Sequence, residues 1–313
     1  MKLSVITPAY NEADGIQYFL SELRTVLNYF DFMDDDYEVI IVNDGSSDST
    51  KEEVLNFGWK QVCLINLMSN SGHMAALEAG IAKAKGDLVV TMDSDLQHPP
   101  KIIIEMVRIQ SESNCDVVLG VRIRGTETSW LRRTLSSNFY RLLSKISKVE
   151  IHQDAQDFRL MTNRVVKTLN SLPEISKVYR FLIGALGFEV RSVSYHAPER
   201  KYGKSKYSMM HLWRLAVNGV IGFSTFPLSA IFVGGVAIFL LSISYMLFIL
   251  INFKQSSEVA GWTSLMITVL SLSSLQFISI GVMGRYISQI LSEVRKRPNY
   301  LIESMDVGET KSL

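Results

Sequence analysis

From residue 1 to about residue 200, short apolar runs alternate with amphipathic stretches, the rhythm of an α/β domain built on a largely parallel sheet. LSVITPAY (3–10) predicts a first strand. Gly15 to Phe30 then sets Ile16, Phe19, Leu20, Leu23, Val26 and Leu27 at helical spacing. YEVIIVNDGSSDST (37–50) reads as a buried strand entering a turn rich in Asp, Gly and Ser, with Ser49 or Thr50 placed to cap the helix KEEVLNF. QVCLINL is a third strand, GHMAALEAGIAKAKG a helix stopped by Gly86, and DLVVTMD a fourth strand. A helix near Lys101 to Gln110 leads to a fifth strand, CDVVLGVRIR. This order gathers the loops that follow the strands at one edge, where α/β folds bind ligands.

After residue 225 the pattern changes. Residues 227–251 and 261–284 each run without a charge, and each exceeds the roughly 20 apolar residues of helix that cross a bilayer. Separated only by residues 252–260, they predict a transmembrane hairpin. Arg200, Lys201, Lys204, Lys206 and Arg214 precede the first run, and Arg285, Arg295, Lys296 and Arg297 follow the second, whereas the connecting loop holds Lys254 and Glu258. The positive-inside rule then sets both termini and the α/β domain on the cytosolic face. SMMHLWRLAVNGVIGFSTF (208–226) reads either as amphipathic helices at the interface, with Trp213 at headgroup depth, or as core helices of the α/β domain. The expected domains are therefore 1–206 cytosolic, 207–226 juxtamembrane, spans at 227–251 and 261–284, and a cytosolic tail over 285–313.

Charge narrows the field. The 313 residues hold 32 Lys plus Arg against 31 Asp plus Glu, so no overall field favours a nucleic-acid partner. Cys63 and Cys115 sit in strand-like apolar settings, as expected of buried thiols in a reducing compartment. The N-terminus lacks the apolar core and cleavage site of a signal peptide.

The candidate chemistry lies where strands end. In LVVTMDSDLQHPP, Asp93, Asp95 and Gln97 face one side if the strand continues through them. Three hard oxygens suit Mg2+ or Mn2+, ions that combine one or two carboxylates with substrate phosphates. Asp44 ends another strand, and TPAYNE (7–12) ends the first. Tyr10, Glu12, Asp44 and Asp93 then line one crevice suited to a base and a ribose, although turn chemistry alone also accounts for Asp44-Gly45-Ser46. Neither G-x-G-x-x-G after the first strand nor a P-loop is present. His98 is read as structural or supporting, and His73 as either lining the pocket or capping a helix.

VITPAYNE, IIVNDGSSD, VVTMDSDLQHPP, QDFRLMT and ERKYGKSKYSMMHLWRLAVNGVIGFSTFPL together resemble family 2 glycosyltransferases of the GT-A fold, a Rossmann-like architecture. More narrowly they are similar to the polyprenyl-phosphate group, which contains bactoprenol glucosyltransferases of O-antigen modification and dolichol-phosphate mannose synthases. The resemblance implies that Pro8, Tyr10, Glu12 and Asp44 form the nucleotide pocket, with Asp93 and Ser94 beside the ribose and diphosphate. It implies Asp95 and Gln97 as metal ligands and Asp157 as the acid proposed for the catalytic base. Arg200 would assist catalysis, while Arg122, Arg132, Arg133, Ser205 and Lys206 would meet the donor diphosphate and acceptor phosphate. One departure is LMSNSGHMAAL: many relatives carry an Arg where this chain has Met68 and Ser69.

The implied reaction transfers a sugar, glucose first, from a UDP-sugar to undecaprenyl (polyprenyl) phosphate, with inversion, at the cytosolic face of the bacterial inner membrane. Other nucleotide sugars (GDP-mannose, UDP-GlcNAc or a UDP-aminoarabinose type), a processive synthase, and a non-catalytic nucleotide-binding membrane subunit are the alternatives. The lysines of ERKYGKSKY serve either the lipid phosphate or plain anchoring. Gly234, Gly235, Gly281 and Gly284 allow close helix packing and hence a homo-oligomer.

Overall fold

The computed structural model describes residues 2–29, 36–123, 155–174, 177–198, 226–251 and 261–307. Two compact units divide them: one is built on a sheet and also claims the chain from Arg297 onward, and the other holds two long apolar helices.

In the first unit, β1 (Leu3–Ala9), α1 (Ile16–Tyr29), β2 (Tyr37–Asn43), α2 (Thr50–Asn56), β3 (Val62–Leu67), α3 (His73–Lys83), β4 (Leu88–Thr91), α4 (Ile102–Ser113) and β5 (Val117–Arg122) follow one another. They are joined by β6 (Ala155–Thr162), α5 (Asn163–Ser171), α6 (Tyr179–Ala185), β7 (Val190–Tyr195) and, after the second unit, β8 (Ile302–Val307). The eight strands take the order β7-β5-β6-β4-β1-β2-β3-β8. β1 lies between β4 and β2, parallel to both, and every one of its residues is buried. Helix layers cover both faces of such a strand, so it reads as an unbroken apolar run rather than as an alternating one. Period two still divides the work. Val5 joins Phe19, Leu20 and Leu23 on one face, while Ile6 joins Ala76, Ala79, Val165 and Leu169 on the other.

The sheet is mixed rather than largely parallel. β6 enters antiparallel between β4 and β5, and β8 runs antiparallel to β3 at the far edge. The first arrangement matters for chemistry, because Thr91 pairs with Arg159 and continuing that register two places sets Asp157 opposite Asp93.

Several local expectations shift. α3 stops at Lys83, with Ala84 already extended, so Gly86 is not its terminator. The fourth strand ends at Thr91, and Leu96 adopts a left-handed φ of 62° in the turn that follows. Asp93, Asp95 and Gln97 therefore do not lie on a continuing strand, and period-two facing does not apply to them. Within the expected tail, helix extends to Arg295 and β8 (Ile302–Val307) completes the sheet, while 308–313 lie outside the described residues. Cys115 is buried and Cys63 half-buried, both as free thiols.

In the second unit α7 (Phe226–Ile251) and α8 (Trp262–Arg295) are helices of 26 and 34 residues. The expected spans coincide with α7 and with the first two thirds of α8. Large apolar side chains on them are open, among them Phe232 at 72 %, Leu241 at 69 % and Phe277 at 74 %. Among the described residues no helix is long and apolar enough to cross a membrane. Several α7 side chains, at 226, 227, 239, 242, 245, 246 and 248–251, lie outside those described.

Candidate active site

Sequence order sends the chain from β1 to β2 on one side and, by way of β3 and α3, back to β4 on the other. The carboxyl ends of β1, β2 and β4 thus open a crevice at a topological switch point, the usual ligand position in such sheets. Two loops are stitched together there. The Asn11 N–H donates to Ser46 Oγ at 3.0 Å, the Glu12 N–H donates to Thr50 Oγ1 at 2.9 Å, and the Ser47 N–H donates to Asn11 Oδ1 at 2.8 Å. Asn11 holds φ 54°, a conformation Asn tolerates better than most residues. Tyr10, 39 % exposed, stands at this rim, and Pro8, next to last in β1, accepts at its carbonyl from Ser94 Oγ at 3.3 Å.

Asp44 is almost fully buried, 4 % exposed. Its Oδ1 accepts the N–H of Ser71 at 2.7 Å and its Oδ2 that of Gly72 at 3.0 Å, so it fastens the loop entering α3. Burial pushes its carboxyl pKa up, against the lowering effect of those two bonds and of the nearby His73 charge. A nucleotide contact was the expectation for this residue; in the structure its carboxylate holds the loop, with one N–H on each oxygen. Gly45 is what lets that loop come near: with φ +64°, an added Cβ would lie 2.5 Å from the Ser69 carbonyl carbon.

The acidic turn is held from inside. Asp95 Oδ1 accepts the Gln97 N–H at 3.0 Å, and Gln97 Oε1 accepts from Arg122 Nη1 at 3.3 Å. Arg122, expected at a phosphate, reaches this turn through that bond. His98 is wholly buried, accepts the Asp93 N–H on Nδ1 at 2.9 Å, and stacks on Phe158 at 5.0 Å. This fits the structural or supporting role read for it from the sequence, where Pro99 and Pro100 follow it. Tyr195 closes the same aromatic group edge-on to both rings, and burial raises its phenol pKa.

Asp157 faces the crevice with both oxygens engaged. Oδ1 accepts from the buried Arg159, and Oδ2 lies 3.3 Å from His73 Nε2, which is also 3.6 Å from Asp93 Oδ1. Burial of the His73 ring lowers its pKa, but the Asp157 hydrogen bond and the Asp93 charge outweigh that and raise it. The His73 side chain is 42 % exposed, so water screens part of this pull.

The structure thus unites Asp93 and Asp157, and separately joins Ser94 to Pro8 and Gln97 to Arg122. Arg132, Arg133, Arg200, Ser205 and Lys206 lie outside the described residues. Sequence reasoning passed over Arg159, although its place two residues after Asp157 on a strand puts both on one face. His73, read as either lining the pocket or capping a helix, begins α3 and reaches both Asp93 and Asp157. Among the described residues no group of three or more His, Cys, Asp or Glu is arranged to hold a metal. Asp95 and Gln97 supply only two protein oxygens, a number that suits an ion completing its shell with substrate phosphates.

Residues 4–169 match the family described as Glycosyl transferase family 2. The chain is 33 % identical over 308 residues to an uncharacterized glycosyltransferase of Synechocystis sp., covering 97 % of this chain and 96 % of that one. It is 34 % identical over 315 residues to a prophage-derived bactoprenol glucosyl transferase of Shigella flexneri, covering 98 % and 99 %. Among solved structures it is similar to a mycobacterial protein at TM-score 0.50 and 20 % identity, over 70 % of this chain and 72 % of that one.

Proposed function

The chain belongs to glycosyl transferase family 2 and is a glycosyltransferase of the GT-A fold, and on that premise we propose that it moves glucose from UDP-glucose to undecaprenyl phosphate. The observation carrying this reading is the meeting of Asp93 and Asp157 across β4 and β6, beside the Asp95–Gln97 turn. Near-full-length similarity to a bactoprenol glucosyl transferase supports the acceptor and the sugar.

The donor enters over Tyr10 and the β1 and β2 loops, with its diphosphate toward Asp93 and Ser94. Asp95 and Gln97 would hold Mg2+ or Mn2+, which when bound neutralises charge on the departing diphosphate. A phosphate monoester carries about −1.5 to −2 charge at neutral pH, so the acceptor oxygen is already a nucleophile. Asp157, with Arg159 and His73 on its two oxygens, therefore orients the acceptor rather than serving as an unencumbered base. A single displacement inverts the anomeric carbon. Arg200, Ser205 and Lys206, with Arg132 and Arg133, belong to the same proposal as cations and donors for the phosphates.

A lipid acceptor requires a membrane. Counted over its full sequence, with the positions whose side chains lie outside the described residues included, α7 carries no charged residue and, at 1.5 Å per residue, is about 39 Å long against a hydrocarbon core of about 30 Å. The apolar surface of both helices calls for an apolar surrounding. This supports two spans; the basic residues flanking them support a catalytic domain and termini on the cytosolic face of the bacterial inner membrane, and Gly234, Gly235, Gly281 and Gly284 suit close packing in a homo-oligomer. Purified protein given radiolabelled UDP-glucose and undecaprenyl phosphate should yield labelled lipid with inverted configuration; no labelled lipid from any nucleotide sugar would mean that the chain only binds nucleotide.

A further inference from the structure

We propose that His73 is a positioning residue for the transfer, its Nε2 bridging Asp93 on the donor side and Asp157 on the acceptor side. The inference rests on the function just proposed. Nε2 lies 3.6 Å from Asp93 Oδ1 and 3.3 Å from Asp157 Oδ2.

The backbone is built to put the ring there. Asp44, buried at the end of β2, takes the N–H groups of Ser71 and Gly72, the two residues just before His73. Gly72 adopts φ +93°, a left-handed value that turns the chain sharply into α3. His73 is the first residue of that helix, its side chain 42 % exposed toward the crevice. A buried acid just past β2 thus sets a loop whose next side chain joins one acid just past β4 and another on β6.

Charge explains why the bridge is needed. The proposed reaction brings a diphosphate and a lipid phosphate, both anions, to a pocket already holding Asp93, Asp95 and Asp157. Arg159 offsets one oxygen of Asp157 from behind, and a protonated His73 offsets the other while drawing Asp93 toward it. Without the imidazole the two carboxylates repel, spread apart, and leave acceptor and donor misaligned. Small misplacements of reacting groups weigh mainly on the rate, because orientation is realised in the transition state.

Three replacements separate this role from a helix-start role. Gln places an amide N–H near the Nε2 position, whereas Asn reaches only about as far as Nδ1 and keeps a polar side chain at the helix start without reaching the carboxylates. In the UDP-glucose and undecaprenyl phosphate assay, His73→Ala should lower kcat about 10–100-fold, the loss typical of a supporting partner, with KM for UDP-glucose within about threefold. His73→Gln should recover much of kcat and His73→Asn should not. Parental kcat in His73→Ala, or recovery by Asn but not Gln, overturns the proposal. A substrate-free measurement keeps the two readings apart: in thermal unfolding, His73→Ala and Asp157→Asn should be non-additive, and additive shifts remove the bridge even where the parent glycosylates lipid. A parent that forms no labelled lipid while the unfolding cycle stays non-additive overturns the proposed function and leaves the bridge standing.

Discussion

The carboxylate of Asp44 accepts the backbone N–H of Ser71 at 2.7 Å, and through that bond a residue at the end of β2 governs how α3 begins. Removing it leaves two amides without their acceptor in a half-buried loop. Asp44→Ala should cost about 1–3 kcal/mol of stability, the penalty for stranding buried donors. Chemical denaturation checks the stability, and donor titration should show weakened binding because the His73 loop loses its anchor. Asp44→Asn should lose less than Ala, since its carbonyl still accepts one amide.

Protonation of His73 sets a pH window. The folded state raises its pKa, so the stabilisation from its contacts with Asp157 and Asp93 is complete below the ordinary histidine value of about 6.5. It fades as pH rises through the higher folded value. The melting temperature of the parent minus that of His73→Ala should therefore shrink from slightly acid to alkaline pH, and a difference that grows in that direction contradicts the assignment.

The Asp95–Gln97 turn carries the metal reading. Asp95→Asn combined with Gln97→Ala should reduce lipid glycosylation by more than the roughly 10–100-fold that loss of an outer-sphere partner costs. A chelator should abolish parental turnover, with Mg2+ or Mn2+ restoring it. Chelator-resistant activity would place the charge compensation on protein cations instead.

Gly45 tests how closely two loops must pass. A methyl group there meets the Ser69 backbone at 2.5 Å and imposes φ +64° on an L-residue. Gly45→Ala should destabilise by about 2–4 kcal/mol, combining left-handed strain with overpacking. The melting temperature measures it.

Ending the chain after Asn299 removes β8. Asn66, 2 % exposed, then loses Ser304 Oγ and Asp306 Oδ2 as acceptors, each at 2.9 Å, and the edge of β3 opens. Lower thermal stability and concentration-dependent aggregation should follow, read by light scattering during a thermal ramp.

Much of this architecture was written in periodicity. Strands β1 to β5 and helices α1 to α4 lie where apolar spacing sets them, because a residue that must reach a buried sheet face or a helix stripe repeats every two or every three to four positions. The acidic crevice was readable too, since its residues sit just past apolar runs. His98, followed by Pro99 and Pro100, was read as structural or supporting, and it lies buried against Phe158. The extended reading of Asp93 to Gln97 failed because Leu96 takes a left-handed turn that no propensity announces.

What the sequence alone determined is the helix and strand order, the strand-end chemistry and the two uncharged runs, all of which depend on neighbours a few residues apart. What the tertiary structure decided is the pairing of distant segments. β6 lies antiparallel to β4, which brings Asp157 to Asp93 from 64 residues away along the chain. β8 returns to β3 after both long helices, and Asp44 fastens the loop that aims His73. Those meetings depend on strand direction and register, and strand direction is set by how the whole sheet buries its faces, information that no local window of residues contains.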